Sequence, residues 1–307
     1  MGKQRISGQQ AYRNFQESFQ NSFRKARPIT KDAAVLESLA AEGTVATLGH
    51  PEYINLKPGQ SKTARAVVGF VDIRGVTKLS FALAADELLR IIQSLTEASI
   101  RAIHEGGGYI GEFTGDGVMA YFGDSATTDE EATLAALETV SLLFKSVDEI
   151  VNPELKQSGL DPIQIAAGLE FGEVLWSRIG LAEISQLKPI GTATFLAGKL
   201  SSGKYTNAWE CKVGMKLANW IPDEYKNKVE QYGPVSVNKQ QYTRELYLFD
   251  WRQFARDALL NKPRLEEEVR KRFSGPGLLG VASGTRVLSS PAPAQGGPRP
   301  LKDRPFF

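Results

Sequence analysis

Residues 64–73, ARAVVGFVDI, form a nearly continuous apolar run that ends beside an aspartate, Asp72. A run of this length and composition is typical of a buried strand. A carboxylate at the end of such a strand has no place in the core. Asp72 is therefore either a cap for the next loop or part of a functional site.

The segments that follow alternate between helix and strand patterns. Apolar residues spaced at three and four predict a helix over 86–104, which Gly106, Gly107 and Gly108 end. The further elements predicted, in chain order, are strands at 109–122 joined at Gly115-Asp116-Gly117, a helix that Asp129 caps and that extends to about residue 150, strands at 163–169 and 173–179 turning at Phe171-Gly172, a helix after Gly191, and a strand region at 235–249. This order predicts an α+β fold with helices on one face of a largely antiparallel sheet.

The two ends of the chain have different patterns. Tyr12, Phe15, Phe19 and Phe23 share one face of a predicted helix that covers the domain or a partner. Residues 57–63 have the composition of a linker, and the Pro- and Gly-rich stretch after residue 273 predicts a disordered tail. We expect an extension at 1–60, one domain at 61–255, and a C-terminal helix and tail at 256–307.

Composition limits the function classes. The net charge of +2 gives no field that would attract nucleic acid, and no run of 18 apolar residues predicts membrane insertion. One cysteine and two histidines are too few for a thiolate or imidazole metal site. The sequence therefore predicts a cytoplasmic protein in which any bound metal ion is held by carboxylates.

Two acids, Glu112 and Asp116, lie four residues apart in the apolar segment GEFTGDGVMAYFG. Asp116 falls in the predicted turn, and Asp72 lies at the end of the predicted buried strand. Each aspartate alone is explained by loop capping. Together, each followed by a glycine within three residues, they favour a site for Mg²⁺ or Mn²⁺ and a phosphate substrate.

Four segments resemble the class III nucleotidyl cyclases, the family of adenylate and guanylate cyclase catalytic domains. They are FVDIRGVTKLS, FTGDGVMAYFG, GLEFGEVLWSRIG and PIGTATFLAGKL, and they occur in the family's order. Within the family the chain is most similar to the pyrimidine (uridylate) cyclases of bacterial Pycsar anti-phage systems. The resemblance implies a ferredoxin-like fold and a head-to-tail homodimer with composite active sites.

The resemblance also implies roles for particular residues. Two divalent ions, Mn²⁺ or Mg²⁺, are expected on Asp72, Asp116 and the carbonyl of Ile73. Phosphates are expected on the amides near Gly75, Val76 and Thr77. Two positions depart from the family pattern, because Phe195 stands where the family has an asparagine and Lys199 where it has an arginine. Lysine still supplies a charge for the transferring phosphate, while Thr192 or Thr194 is a candidate for the missing ribose contact.

By the same resemblance Glu112 and Lys188 read the base, with their charges exchanged relative to adenylate cyclases. Glu112 accepts and Lys188 donates, which matches a ring N–H beside a carbonyl, as in uracil and guanine. The alternative is that the two side chains only pair with each other. The sequence favours conversion of UTP to cyclic UMP for a downstream cyclic-nucleotide-sensing effector in defence. Guanylate cyclase activity, or a degenerate nucleotide-binding or dimerisation module, is the alternative.

Overall fold

The computed structural model describes residues 6–25, 49–181, 184–202, 204, 206–237 and 242–259. The strands in these ranges are β1 (Ser61–Arg74), β2 (Gly108–Phe113), β3 (Gly117–Phe122), β4 (Gln164–Gly180), β5 (Ser185–Ile190), β6 (Cys211–Gly214), β7 (Val229–Val237) and β8 (Tyr242–Phe249). The α-helices are α1 (Gly8–Lys25), α2 (Val76–Ala82), α3 (Ala85–Glu105), α4 (Asp129–Ser146), α5 (Asn152–Gln157), α6 (Thr192–Ser201), α7 (Met215–Asn219) and α8 (Trp251–Phe254). Short π- or 3₁₀-helical turns occupy Val147–Val151, Asp223–Lys228 and Ala255–Leu259.

These strands form one mixed sheet in the order β2-β3-β1-β4-β6-β8-β7, and β5 pairs with β4 off this path. The pairing of β4 with β6 is parallel, and the other pairings are antiparallel. The predicted α+β class with a mostly antiparallel sheet is confirmed. The long central strand β1 runs between β3 and β4 and delivers its C-terminal end to the candidate site.

Successive residues of β1 point to opposite faces of the sheet, as the strand period requires. Val67 belongs to the larger core cluster, which α1, α3 and α4 cover. Ala66 and Val68 belong to a second cluster on the other face, which includes Ala193 and Ala197 of α6. Helices therefore pack on both faces, and the expectation that they lie on one face is wrong. The near-continuous apolar run of β1 is explained by burial on both sides.

The predicted turn at Phe171-Gly172 is also wrong, because β4 is one continuous strand through these residues. Gly172 pairs with Ala66 on β1 in regular register. A Cβ at Gly172 would lie 3.3 Å from the Cβ of Ala193. This glycine therefore provides the close approach of α6 to the sheet rather than a change of direction. The strand instead turns back after Gly180, into β5.

Two element boundaries differ from the prediction for local reasons. The N-cap of α4 is Thr128 and not Asp129, because the Thr128 hydroxyl accepts from the Glu131 amide at 3.2 Å and the Glu131 carboxylate accepts from the Thr128 amide at 2.9 Å. This reciprocal pair is a capping box. The stretch assigned to a linker is partly strand, since β1 begins at Ser61, opposite Ser177 of β4.

The predicted N-terminal helix is confirmed over Gly8–Lys25. Phe15, Phe19 and Phe23 are fully or almost fully buried, and the helix packs mainly against α3. The Tyr12 hydroxyl donates to the Glu149 carboxylate at 3.0 Å. None of the helices described is long and apolar enough to span a bilayer. Residues 26–48 of the predicted extension and 260–307 of the predicted tail lie outside the described residues, and the domain bounds stay a prediction.

Candidate active site

Asp72 lies at the C-terminal end of β1, directly opposite Gly117, the first residue of β3. The Thr114 hydroxyl lies 3.4 Å from its carboxylate. A side chain at Gly117 would collide with this carboxylate and would come within 2.7 Å of the Val71 carbonyl. The glycine after Asp116 therefore makes room for Asp72, which gives a steric reason for the Gly-Asp-Gly sequence.

Asp116 lies in the tight turn between β2 and β3, which the Thr114 amide closes on the Gly117 carbonyl at 2.9 Å. Gly115 has a φ of 84°, which favours glycine at that position. Burial raises the pKa of Asp116 above its ordinary value, and the nearby Asp72 carboxylate raises it further. Arg74 and the aspartate's own backbone amide oppose these two effects. The two aspartates are thus close enough for their charges to interact.

The donor set at this position fits a hard divalent cation. A cation beside two neighbouring carboxylates offsets the repulsion between their charges, and carboxylate and carbonyl oxygens are the ligands that Mg²⁺ and Mn²⁺ prefer. Ile73, the predicted carbonyl ligand, lies between Asp72 and Arg74 with its side chain buried. Within the described ranges no group of three or more His, Cys, Asp or Glu residues is placed so that it could hold a metal ion, so such a site depends on backbone and substrate oxygens for its remaining ligands.

A small cavity of about 20 Å³ lies behind the two aspartates. Its polar lining comes from Asp72, Asp116 and the hydroxyl-bearing residues Thr96 and Ser99 of α3, and the remaining walls are mostly apolar. This volume is close to that of one ordered water molecule. Helix α3 therefore forms the floor of the site.

Arg74, to which the sequence analysis assigned no role, lies beside the two aspartates. It shares a strand face with Asp72, two residues earlier, and its guanidinium donates to the carbonyl of Ser201 at the end of α6. Burial lowers the pKa of Arg74, while Asp72, Asp116 and Glu210 act in the opposite direction. Its buried Nε–H has no hydrogen-bond partner among the residues described. The two-residue period of the predicted strand is the signal that identifies it.

The predicted phosphate-binding stretch connects β1 to α2. Gly75 has a φ of 74° and precedes the first helical residue, Val76. The amide of Leu79 bonds to the Gly75 carbonyl at 3.0 Å, so the amides before it have no partner within the helix. Thr77 is exposed, and none of the residues of α2 is buried. These amides lie next to Asp72 along the chain.

The three residues predicted from the helix-opening motif lie on α6. Thr192 and Phe195 are exposed, and Phe195 keeps 68% of its surface accessible. Lys199 is half-buried one turn further along. Their spacing of three and four places them on one stripe of the helix, opposite the residues that pack on the sheet. Thr194, the other candidate for the ribose contact, is buried and faces away from this stripe.

Glu112 and Lys188, the predicted base-reading residues, form an ion pair. Both side chains are partly exposed, at 26% and 35%. Glu112 is near the end of β2, and Lys188 is on β5 opposite Ser177 of β4. The structure thus brings this predicted pair together, in the pairing that the sequence analysis left as an alternative.

The fold is that of the class III nucleotidyl cyclase catalytic domains. The adenylyl cyclase CyaB of P. aeruginosa superposes with a TM-score of 0.56 at 23% identity, over 62% of this chain and 95% of that one. The guanylyl cyclase Cya2 superposes with a TM-score of 0.54 at 20% identity, over 62% of this chain and 93% of that one. At these identities the likeness concerns the fold alone.

Sequence comparison gives relatives within the same class. A cytidylate cyclase of Staphylococcus aureus is 27% identical over 56% of this chain and 41% of its own length. A cytidylate cyclase of Escherichia coli is 28% identical over 59% of this chain and 42% of its own length. A uridylate cyclase of a Rhodovulum species is 30% identical over 45% of this chain and 59% of its own length. The predicted resemblance to class III cyclases, pyrimidine cyclases included, is confirmed.

Two further facts delimit these matches. No family profile matches the chain. The matched region spans about two fifths of the length of the first two cytidylate cyclases. The activities of those whole proteins therefore support a proposal for this chain and do not establish its activity.

Proposed function

We propose that the chain is a nucleotidyl cyclase that converts a nucleoside triphosphate to its 3′,5′-cyclic monophosphate and pyrophosphate. The ribose 3′-hydroxyl attacks the α-phosphorus, the bond from that phosphorus to the bridging oxygen breaks, and pyrophosphate leaves. The observation that carries the proposal is the neighbouring pair Asp72 and Asp116 in a class III cyclase fold, where Gly117, opposite Asp72, leaves room for the Asp72 carboxylate.

Asp72, Asp116 and the carbonyl of Ile73 are the residues that would hold two divalent ions, Mn²⁺ or Mg²⁺. When bound, the ions supply positive charge to the attacking and leaving oxygens. The rest of the task is positioning and charge complementarity. The amides of Gly75, Val76 and Thr77 would orient the phosphates, and Lys199 would add a point charge.

The other α6 positions place the sugar in this proposal. Thr192 offers a hydroxyl on the exposed stripe of α6. The ribose-binding asparagine of the family corresponds to a position about one turn later on this helix. Phe195, at that later position, has no hydrogen-bonding group and offers an apolar surface to the sugar or base. Thr194 is less suited, because its side chain is buried in the packed face of the helix.

We infer a pyrimidine substrate, with UTP first. Glu112 can accept a hydrogen bond and Lys188 can donate one, so their ion pair must open to bind a base edge that offers a donor beside an acceptor. Uracil provides a ring N–H beside a carbonyl. The pair is partly exposed, so opening it costs little.

CTP is a second candidate substrate, favoured by the relatives named cytidylate cyclase. Cytosine has no ring N–H on this edge and presents an amino donor beside a ring acceptor, as adenine does, so the CTP candidate rests on these relatives and not on Glu112 and Lys188. GTP stays the purine alternative, since guanine shares the N–H and carbonyl pattern of uracil.

The same proposal includes a head-to-tail homodimer and a role in anti-phage defence. The exposed ring of Phe195 supports composite sites, because an apolar ring on the surface is stabilised when a substrate or a second copy covers it. The cyclic product would act as a second messenger on a cyclic-nucleotide-sensing effector. A neighbouring gene for a cyclic-nucleotide-binding membrane protein would support this role.

A nucleotide-binding or dimerisation module without turnover is the alternative function. The changed residues Phe195 and Lys199 favour it. A solved structure titled a class III adenylyl cyclase-like ATP-binding protein from Pseudomonas aeruginosa has the same fold, with a TM-score of 0.52 at 20% identity. The paired aspartates favour the enzyme, since a binding module has less need of both.

Incubation of the purified chain with each of the four nucleoside triphosphates and Mn²⁺, followed by mass spectrometry of the products, separates these possibilities. We expect cyclic UMP as the main product and pyrophosphate in equal amount. Nucleotide binding without any cyclic product would overturn the enzyme proposal and support the binding module. Cyclic AMP as the sole product would overturn the assignment of Glu112 and Lys188 to a pyrimidine.

A further inference from the structure

Residues 49–60, here called the strap, cross from the β2 edge of the sheet to the hairpin of β4 and β5. We propose that the strap is a structural part of the base pocket and that His50 is its central positioning residue. In this view the strap fixes β2 relative to β5 and thereby sets the spacing of Glu112 and Lys188. The meaning of that spacing for substrate choice rests on the proposed cyclase function.

The first end of the strap contacts both strands that carry the pair. The amide of Gly49 donates to the carbonyl of Ile110, two residues before Glu112, at 2.7 Å. A Cβ at Gly49 would lie 3.2 Å from Leu187, the residue before Lys188. Gly49 has a φ of 104°, a conformation that favours glycine. One backbone position of the strap therefore lies between β2 and β5.

The second end of the strap is bound to β4. The Arg178 guanidinium donates to the carbonyls of Leu56, at 2.6 Å, and Ile54. The amide of Gly59 donates to the Arg178 carbonyl at 3.1 Å, and the Ser177 hydroxyl to the Gln60 carbonyl at 3.2 Å. Because Arg178 pairs with Leu187 in the register of β4 and β5, these bonds hold the strap to the hairpin that carries Lys188.

His50 fixes the middle of this arrangement. Its ring is 99% buried, with ring centroids 4.3 Å from Tyr109, 4.5 Å from Tyr53 and 5.5 Å from Trp176. Nδ1 accepts from the Glu52 amide at 3.2 Å, so the proton of the neutral ring is on Nε2, which donates to the carbonyl of Gly123 at 3.0 Å. The ring thus joins the strap to the end of β3 and to the aromatic cluster of β2 and β4.

The ion pair cannot supply this spacing by itself. Partly exposed ion pairs contribute little to stability and hold long side chains loosely. Selective recognition requires groups whose positions are fixed by buried packing and a second layer of hydrogen bonds. The strap provides both between the two strands. Loosening it should alter how the base is held while leaving Asp72 and Asp116, on β1 and in the β2–β3 turn, in place.

The test compares His50→Ala and His50→Gln with Phe19→Ala, a core truncation in α1 on the other face of the sheet. Amide hydrogen exchange is measured for β2 and β5, and kcat and KM are measured for each nucleotide. In His50→Ala we expect exchange in both strands to rise at least about tenfold. We also expect the KM of the preferred nucleotide to rise about tenfold with a smaller change in kcat, and the ratio of kcat/KM between nucleotides to fall.

His50→Gln keeps an N–H that can reach Gly123 and should fall between wild type and His50→Ala. Phe19→Ala should lower stability without changing the nucleotide ratios. If a folded His50→Ala protein matches Phe19→Ala in strand exchange and in selectivity, the proposal is wrong. If His50→Ala does not fold, Arg178→Gln takes its place, because this change removes the guanidinium bonds to the strap carbonyls of Ile54 and Leu56. If the wild-type protein has no cyclase activity, the functional proposal is wrong. Amide hydrogen exchange in β2 and β5 then still shows whether the strap fixes these two strands.

Discussion

Lys188 on β5 contacts Glu112 on β2, although β3, β1 and β4 lie between these two strands in the order of the sheet. Strands in a sheet are spaced by about 4.8 Å, so a flat sheet would hold β2 and β5 too far apart for this contact. The sheet must therefore curve until the hairpin of β4 and β5 approaches β2. The aromatic cluster of Tyr53, Tyr121 and Trp176 fills the concave face that results.

Exchanging the two charges tests the base assignment. Glu112→Lys combined with Lys188→Asp restores the order that resembles adenylate cyclases, so we expect the preference to shift from UTP toward ATP. The single change Glu112→Gln leaves Lys188 without its carboxylate and should lower kcat/KM for UTP by about tenfold to a hundredfold. Rates of pyrophosphate release with the four nucleotides measure both effects. Equal losses with every nucleotide in Glu112→Gln would contradict a role in reading the base.

Asp116→Asn tests the metal assignment. Production of cyclic nucleotide should fall at least about a hundredfold with every substrate, because a group that stabilises transition-state charge is lost. The free energy of unfolding of the metal-free protein should not fall, since burial and Asp72 already disfavour the ionised form of Asp116. Mn²⁺ titration and urea denaturation measure the two quantities. Asp148→Asn, at an exposed acid, is the matched control, and full activity in Asp116→Asn would exclude the metal role.

Arg74→Gln separates a charge effect from a structural one. Removing a cation beside Asp72 and Asp116 should lower the Mn²⁺ concentration for half-saturation by about threefold to tenfold, because charge repulsion is relieved. Stability should fall by about 1–3 kcal/mol, since the bond to the Ser201 carbonyl is lost. Arg13→Gln, at an exposed arginine of α1, should change neither value. Weaker Mn²⁺ binding in Arg74→Gln would show that Arg74 supports the site mainly through structure.

Glu170 makes the stability depend on pH. Burial raises its pKa to about 7, and the amides of Phe171 and Leu217 both donate to the same oxygen, Oε1, which leaves Oε2 available for a proton. The folded state then holds this proton to higher pH than the unfolded chain. Its contribution is complete below about pH 4.5 and is lost as the pH rises through about 7. Between these values the free energy of unfolding should fall by about 3 kcal/mol.

Denaturation of Glu170→Gln across the same pH range checks this dependence. The substituted side chain does not titrate, so the slope due to this site should disappear. Glu173→Gln, at an exposed position of the same strand, should keep the wild-type slope. An identical slope in wild type and Glu170→Gln would contradict a neutral Glu170 in the folded protein.

Phe19→Ala tests whether α1 belongs to the folding unit of the sheet. The Phe19 ring is fully buried and stacks on Phe23, with centroids 5.4 Å apart. Its truncation should lower the free energy of unfolding by about 3–5 kcal/mol. Phe81→Ala, at a ring that is 88% exposed, should cost little. A change below about 1 kcal/mol in Phe19→Ala would mean that α1 docks weakly.

The sequence by itself determined the local features of this protein. The spacing of Phe15, Phe19 and Phe23 encodes the buried face of α1, and the apolar run before Asp72 encodes a buried strand. The Gly-Asp-Gly segment encodes the turn that carries Asp116. Each of these follows from helix or strand periodicity and turn chemistry, which depend on neighbouring residues.

Tertiary structure alone decided the features that join distant segments. Gly172 reads as a turn in the sequence, but the approach of α6 makes it part of a continuous strand. The contact between Glu112 and Lys188 depends on the curvature of the whole sheet, and the place of His50 depends on rings from three strands and the strap. Such contacts join residues that are far apart in the chain, and burial and packing select them rather than any local pattern.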